Sequence, residues 1–328
     1  MSLLPKDSSN CPYLILAPME GVGDRCFRKA MASVGGFDEA VTDFLRVPAN
    51  AHIQSLASQY QVDEIAPIPL AAQIMGSDPD LMAAMAQEIE KKGAPRIDLN
   101  CGCPSNTVTG RGAGSSLLKE PSFLHEIAKA IVKAVSIPVT VKMRSGFEDT
   151  SLFTENLLAA QESGISYLTL HPRTKVDGYG PPANWDLIAE AKQLLKIPVV
   201  GNGDILNGED ALRMLSHTKC DALMIGRGSV INPFIFHQVR SRFTGKPYEH
   251  TKKDLFEYIH AYLRYIPEGM PVKIRINKLK QLMGFLFKST PQLLSKRQTL
   301  LSNTTTDVDT FLQFSLTLLL DTSLNELL

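Results

Sequence analysis

The chain has 328 residues, 44% hydrophobic and 21% charged, enough apolar material for one large core or two smaller ones in a globular protein. Lysine plus arginine equals aspartate plus glutamate at 34 each, so overall charge does not mark a polyanion binder and any nucleic-acid surface has to be local. Five cysteines, few and scattered, argue against a disulfide framework and place the protein in a reducing compartment, the cytoplasm. The first apolar run is short and bounded by proline, which fits neither a signal peptide nor an anchor, and no later run approaches the roughly eighteen apolar residues of a membrane span.

In chain order, short apolar runs alternate with longer segments of helical period, as when parallel strands are joined by crossover helices. The strand-like runs are YLILA at 13–17, EAVTDF at 39–44, PLAAQI at 69–74, RIDLN at 96–100, PVTVKM at 138–143, YLTLH at 167–171, PVVGN at 198–202 and ALMIG at 222–226. Eight such units make an α/β fold, a (β/α)8 TIM barrel. Between them, DPDLMAAMAQEIEKKG opens on an aspartate cap and a first-turn proline and ends in lysines and a glycine, and EPSFLHEIAKAIVKAVSIP follows the same plan. A doubly wound open sheet would alternate too, but APMEGVGD after the first strand is not the G-x-G-x-x-G phosphate turn of that fold.

Beyond residue 244 the strand-like runs stop at a turn-rich GKPYEH, so the expected organisation is a barrel over 1–244 and a small all-α helical domain over 245–328. Val272, Ile276, Leu279, Met283 and Leu286 form one apolar stripe at helical spacing, with Lys273, Arg275, Lys278, Lys280 and Lys288 off it. Residues 246–290 hold nine Lys or Arg against four Asp or Glu, a local excess that suits either a solvated bundle face or a surface for phosphates.

In such a barrel the chemistry sits at the C-terminal ends of the strands. Those ends carry Pro18, Met19 and Glu20; Asp43; Gln73; Asn100; Lys142 and Arg144; His171 and Arg173; Asn202, Gly203 and Asp204; and Gly226, Arg227 and Gly228. Any one of them is readily a cap or a solvated loop group. GNGD and IGRG at successive strands, however, supply glycine-freed backbone N–H groups and one arginine where barrels often hold a phosphate. Lys142 and Gln73 point into the same mouth, where an ammonium and an amide suit a reduced flavin ring; a Schiff-base lysine is the alternative.

LNCGCPSNTVTGRGAGSSLL, at 99–118, sets Cys101 and Cys103 around one glycine. A structural zinc site wants four ligands, usually in C-x2-C pairs, and no second pair exists. The C-x-C spacing is also unfavourable for an unstrained disulfide. One thiol on a glycine-rich loop remains, with Cys103 placed to reach a ligand and Cys101 able to pack against the rim.

APMEGV, the glutamine ending strand three, LNCGCPSNTVTGRGAGSSLL, VKMRSG, LHPRT, GNGDI and DALMIGRG, in this order over 14–232, resemble the tRNA-dihydrouridine synthases, and among bacterial branches the C type. The resemblance implies an FMN-bound barrel, a helical domain that grips tRNA, and reduction of the C5–C6 double bond of D-loop uridines with NADPH. Carried over by position, Pro18, Met19 and Glu20 line the flavin, Gln73 and Lys142 contact its ring, and Asn202, Gly203, Asp204, Gly226 and Arg227 hold its phosphate. Cys103 is the general acid, Asn100 orients the base, and His171 with Arg173 serves the flavin phosphate side or the substrate backbone. Arg275 and Lys278 become tRNA contacts of the tail. No metal and no membrane enter this reading, and the protein is expected to act as a monomer. The rivals are a dihydroorotate-dehydrogenase-like enzyme acting on a free pyrimidine, which needs no basic tail, and a non-enzymatic RNA-binding protein on a disused barrel.

Overall fold

The computed structural model describes residues 3–105, 109–110, 112–180 and 182–320. Its strands are β1 (Tyr13–Leu16), β2 (Glu39–Val41), β3 (Leu45–Arg46), β4 (Leu70–Met75), β5 (Ile97–Cys101), β6 (Val139–Gly146), β7 (Tyr167–Thr174), β8 (Val199–Asn202) and β9 (Ala222–Ile225). All pairings are parallel, each strand from β4 to β9 pairs with the next, and β1 joins β9 to β2, which pairs with β4. The sheet therefore closes into an eight-position barrel, the second position being shared by β2 and β3 on either side of residues 42–44.

Crossover helices follow the strands: α1 (Arg25–Val34), α2 (Ile53–Ala57), α3 (Pro79–Lys91), α4 (Pro121–Ala134), α5 (Phe153–Glu162), α6 (Asp186–Leu194), α7 (Gly208–Thr218), the short α8 (Arg227–Ile231) and α9 (Ile235–Thr244). Their starts are written locally. Asp78 accepts from the Leu81 N–H at 3.0 Å with Pro79 in the first turn of α3, and Asp24 accepts from Phe27 N–H at 3.0 Å. Before α4 the proline is present, but Glu120 makes no capping hydrogen bond.

Alternation along each strand sorts the side chains. On β6, Val139, Val141 and Met143 join Leu99, Leu168 and Leu170 in the layer under the helices, where Met82, Met85 and Ile127 cover them. The opposite set packs Ile15, Val41, Ala71, Tyr167, Val200, Ala222 and Met224 inside the barrel. Full burial of such side chains stabilises the fold by roughly 1.5–3 kcal/mol each, and this plug leaves the polar residues of β4 to β8 to form the wall above it.

Among the described residues four more helices follow: α10 (Lys252–Tyr265), α11 (Val272–Leu286), α12 (Pro291–Ser302) and α13 (Val308–Leu320). Thr251 and Asp254 form a reciprocal capping box at the start of α10, and Leu255, Tyr258, Ile259 and Tyr262 continue the apolar core that contains Phe27 and Met31 of α1. Lys278 of α11 forms an ion pair with Asp24, the cap of α1. On α11, Ile276, Leu279, Met283 and Leu286 are buried as the stripe requires, while Val272 is 46% exposed because it lies in the first turn. Among the described residues no helix is long and apolar enough to cross a membrane.

Candidate active site

A cavity of about 690 Å³ lies at the C-terminal end of the barrel, lined by Met19, Glu20, Asp43, Phe44, Gln73, Asn100, Cys103, Lys142, Arg144, His171, Tyr179 and Arg227, and by Phe285 from α11. Its floor is a layer of inward-facing polar side chains. Lys142 donates to Asn202 Oδ1 at 3.0 Å, and Asn202 donates onward to the Met224 carbonyl at 2.8 Å. Burial pulls the Lys142 ammonium down to about 8, against the opposing pull of Asp98. His171 is held down at about 2 by burial and by the cations Lys142, Arg144, Arg173 and Arg227. Arg173 Nη1 lies 3.1 Å from His171 Nε2, and a guanidinium only donates, so the neutral ring carries its proton on Nδ1. Asp43 stands at the rim, its carboxyl raised to about 7 by burial in spite of Arg28 at 3.6 Å.

A smaller recess of about 80 Å³ adjoins this cavity and shares Met19, Lys142, His171, Tyr179 and Arg227 with it. Asn202, Gly203, Asp204, Gly226 and Gly228 form its walls. Gly203 sits at φ +123°, where a Cβ would also come 3.0 Å from the His171 ring, and a Cβ on Gly228 would come 2.1 Å from the Ile205 carbonyl oxygen. Side chains are thus excluded where the backbone closes in. Asp204 turns its carboxylate to Arg173 at 2.6 Å, Arg227 at 2.9 Å and the Ala183 N–H at 2.8 Å. Burial works against the charge, but these donors hold the carboxyl below its usual range. The acid therefore orients Arg227 rather than meeting an anion itself, and Arg173 behind it offsets its charge, which leaves Arg227 to face the recess.

The Cys103 turn follows β5. Asn100 Oδ1 accepts from the backbone N–H groups of Gly102 at 3.0 Å and Cys103 at 2.9 Å, and Arg144 holds the Gly102 carbonyl at 2.9 Å. The Cys103 thiol donates to Glu20 Oε2 at 3.5 Å, and burial, with Glu20 adding to it, pushes the thiol up to about 11. Cys101 faces the opposite way, fully buried in the layer under the helices. All five cysteines are unpaired, and among the described residues no group of three His, Cys, Asp or Glu side chains could hold a metal ion. Residues 106–108 and 111 of the same motif lie outside the described residues.

Pro18, Met19, Glu20, Gln73, Asn100, Cys103, Lys142, His171 and Arg227 all meet at the large cavity, and Asn202, Gly203, Asp204 and Gly226 at the recess. Arg173 does not reach either: it is 3% exposed, behind His171 and Asp204. Arg275 and Lys278 also lie away from the cavity. Lys278 lines a separate groove of about 480 Å³ between α11 and α12, with Lys280, Gln281, Phe285, Lys288 and Arg297. Tyr179 and Phe285 are cavity residues that the strand-end reading does not name. Tyr179, on the loop after β7, is 57% exposed with its ring 4.6 Å from the Arg227 guanidinium and 5.4 Å from that of Arg144. An aromatic between two glycines in DGYGP is the only local sign of it.

A flavin with a phosphate tail needs a roomy cavity joined to an anion recess, with a cation at the ring. The 690 Å³ cavity, the glycine-walled recess with Arg227, and Lys142 fit that demand. The family model for dihydrouridine synthase (Dus) matches residues 15–318. The tRNA-dihydrouridine(16) synthase of Neisseria meningitidis serogroup B is 38% identical over 289 residues, covering 84% of this chain and 86% of that protein. The enzyme of the same name from Shewanella oneidensis is 36% identical over 288 residues, covering 85% and 90%. Among solved structures, a 2-naphthoyl-CoA reductase complex has a TM-score of 0.53 at 13% identity over 72% of this chain and 50% of its own, and histamine dehydrogenase from Rhizobium sp. 4-9 one of 0.53 at 14% over 76% and 48%. These two likenesses concern the fold alone. With the motifs of 14–232 and a family match over 15–318 that spans the residues of this cavity, the chain belongs to the dihydrouridine synthase family of flavin-dependent oxidoreductases.

Proposed function

We propose that the protein reduces uridine 16 of tRNA to 5,6-dihydrouridine, with FMN in the barrel mouth and NADPH as the source of hydride. The observation that carries this reading is the Cys103 thiol on the wall of a cavity that adjoins a glycine-walled recess with Arg227 in its lining, in a chain similar to tRNA-dihydrouridine(16) synthases. In this reading residues 1–244 hold the flavin, residues 245–328 hold the tRNA, and the protein works as a monomer in the cytoplasm. Five unpaired thiols suit that compartment.

Bound there, reduced FMN supplies hydride to C6 of the uracil ring. Lys142 would hold its ammonium against the flavin ring and stabilise negative charge there on reduction, and Asn202 fixes where that ammonium sits. Gly203, Gly226 and Arg227 would hold the phosphate; Asp204 fixes Arg227 in place and is itself held by Arg173. Hydride addition leaves negative charge over C5 and O4 of the uracil. Cys103 quenches it: the S–H bond breaks, a C5–H bond forms, and the thiolate is reprotonated from solvent. Burial keeps the thiol, not the thiolate, populated at neutral pH, as this role demands. Tyr179 and Phe285 offer aromatic faces to bases drawn into the mouth.

The groove between α11 and α12 serves as the backbone grip. Its charged lining residues are Lys278, Lys280, Lys288 and Arg297, without an acid, and Phe285 belongs to both groove and cavity. That continuity favours a polynucleotide over a free pyrimidine. Lys280 and Lys288 therefore carry more of the grip than Arg275, whose Nε is buried. In the Cys103→Ala variant, flavin absorbance and tRNA binding are retained while turnover falls by ~10²-fold or more, read by mass spectrometry of nucleosides from unmodified tRNA. Undiminished dihydrouridine formation would overturn the role of Cys103.

A further inference from the structure

We infer that Asp98, a carboxylate inside the barrel that lines neither cavity, is a positioning residue: it sets the direction of two side-chain amides and, through them, the shape of the Cys103 turn. The relay rests on the reading of Cys103 as the proton donor only for its effect on turnover.

Asp98 is fully buried on β5. Its Oδ1 accepts from Thr140 Oγ1 at 2.6 Å and from Arg96 Nη1 at 3.3 Å, and Arg96 is balanced in turn by Glu39 at 2.8 Å. Its Oδ2 accepts from Gln73 Nε2 at 2.7 Å. Surrounded by donors, the carboxylate can only accept, so the end of Gln73 that faces it must be the NH2. The carbonyl oxygen of Gln73 then faces Asn100 and must meet a donor, which is Asn100 Nδ2 at 2.8 Å. This leaves Asn100 Oδ1 pointing at the N–H groups of Gly102 and Cys103, which are donors and demand an acceptor.

Both ends therefore agree. With an acceptor at one end and two backbone donors at the other, reversing either amide sets like against like in a buried site, so only one direction of the relay is satisfied. The three linked side chains come from neighbouring strands: Gln73 pairs with Asp98 across β4 and β5, and Asn100 lies two residues further along β5 on the same face. The turn that presents the thiol is thus anchored to the barrel interior by a carboxylate that touches neither substrate nor cavity. Replacing Asp98 by asparagine keeps the shape and removes the polarity, since an amide there can face Gln73 with either end.

The test is amide hydrogen exchange at Gly102 and Cys103, followed by NMR in the full-length protein. Asp98→Asn should speed exchange of both amides by ~10-fold or more, the loss of about one hydrogen bond. The Asp98→Asn/Asn100→Ala double variant should be no faster than Asn100→Ala alone, because the two act in series. Unchanged exchange in Asp98→Asn, or effects that multiply in the double variant, would overturn the relay. Should Asp98→Asn fail to fold, Gln73→Met breaks the same relay with the Asp98–Arg96 pair intact, and unchanged exchange there overturns it equally. Steady-state kinetics at pH 6, well below the value of about 8 at which Lys142 loses its charge, separates the two readings: kcat should fall with KM for tRNA held. Faster exchange with unaltered kcat upholds the relay and removes the proton-donor role of Cys103 instead.

Discussion

Burial moves the two reactive protons of the mouth in opposite directions, lifting the Cys103 thiol to about 11 and lowering the Lys142 ammonium to about 8. Below pH 8 both groups are protonated, the state in which both proposed roles can be filled. As pH rises through about 8, Lys142 loses its charge first, while Cys103 keeps its proton for some three further units. The rate of flavin reduction by NADPH should therefore fall with a midpoint near pH 8, and Lys142→Met should be slow at every pH and lack that limb. A wild-type profile flat to pH 10 would contradict the assignment. His171, held neutral at about 2, adds no acid limb. Lys142, Gln73 and Asn100 are legible in the sequence because a strand's period of two puts them inside the barrel at its open end. Arg173 obeys the same period, yet Asp204 and His171 claim its donors, and a pairing across strands leaves no mark in either segment.

At the scale of elements, Asp24 does two things with one carboxylate. Oδ1 caps α1 through Phe27 N–H, and Oδ2 holds Lys278 of α11. Asp24→Ala removes both and should cost ~1–2 kcal/mol, most of it the cap. Asp24→Asn keeps a capping oxygen and should cost ~1 kcal/mol or less, since the ion pair is partly exposed. Denaturant melts that show equal losses for the two variants would contradict this division. The strands were readable as runs because each is bounded by proline, glycine or a polar turn. The end of β2 was not: EAVTDF reads as one strand to Phe44, whereas β2 stops at Val41 and β3 takes up the pairing with β4 at Leu45, beyond that run. The extension of β6 and β7 through their polar ends is likewise tertiary: Arg144 pairs in register with His171, and both are buried at the cavity wall.

At the scale of the molecule, one apolar core joins the barrel helices to the tail. Leu255, Tyr258, Ile259 and Tyr262 of α10 share it with Phe27 and Met31, so removing the tail would bare the face of α1. The tail also lends Phe285 to the cavity, a contribution hidden in sequence because it depends on how α11 meets the barrel. Its charge excess was legible: the net-basic segment 246–290 supplies three of the four cations of the groove, Lys278, Lys280 and Lys288, in a chain that is neutral overall. The most direct measurement for the whole account is positional mass-spectrometric mapping of unmodified tRNA incubated with the protein, FMN and NADPH. Uridine 16 should gain two hydrogens, and should not do so with Cys103→Ala. A wild-type protein that leaves uridine 16 unchanged, or reduces a different position, would contradict it.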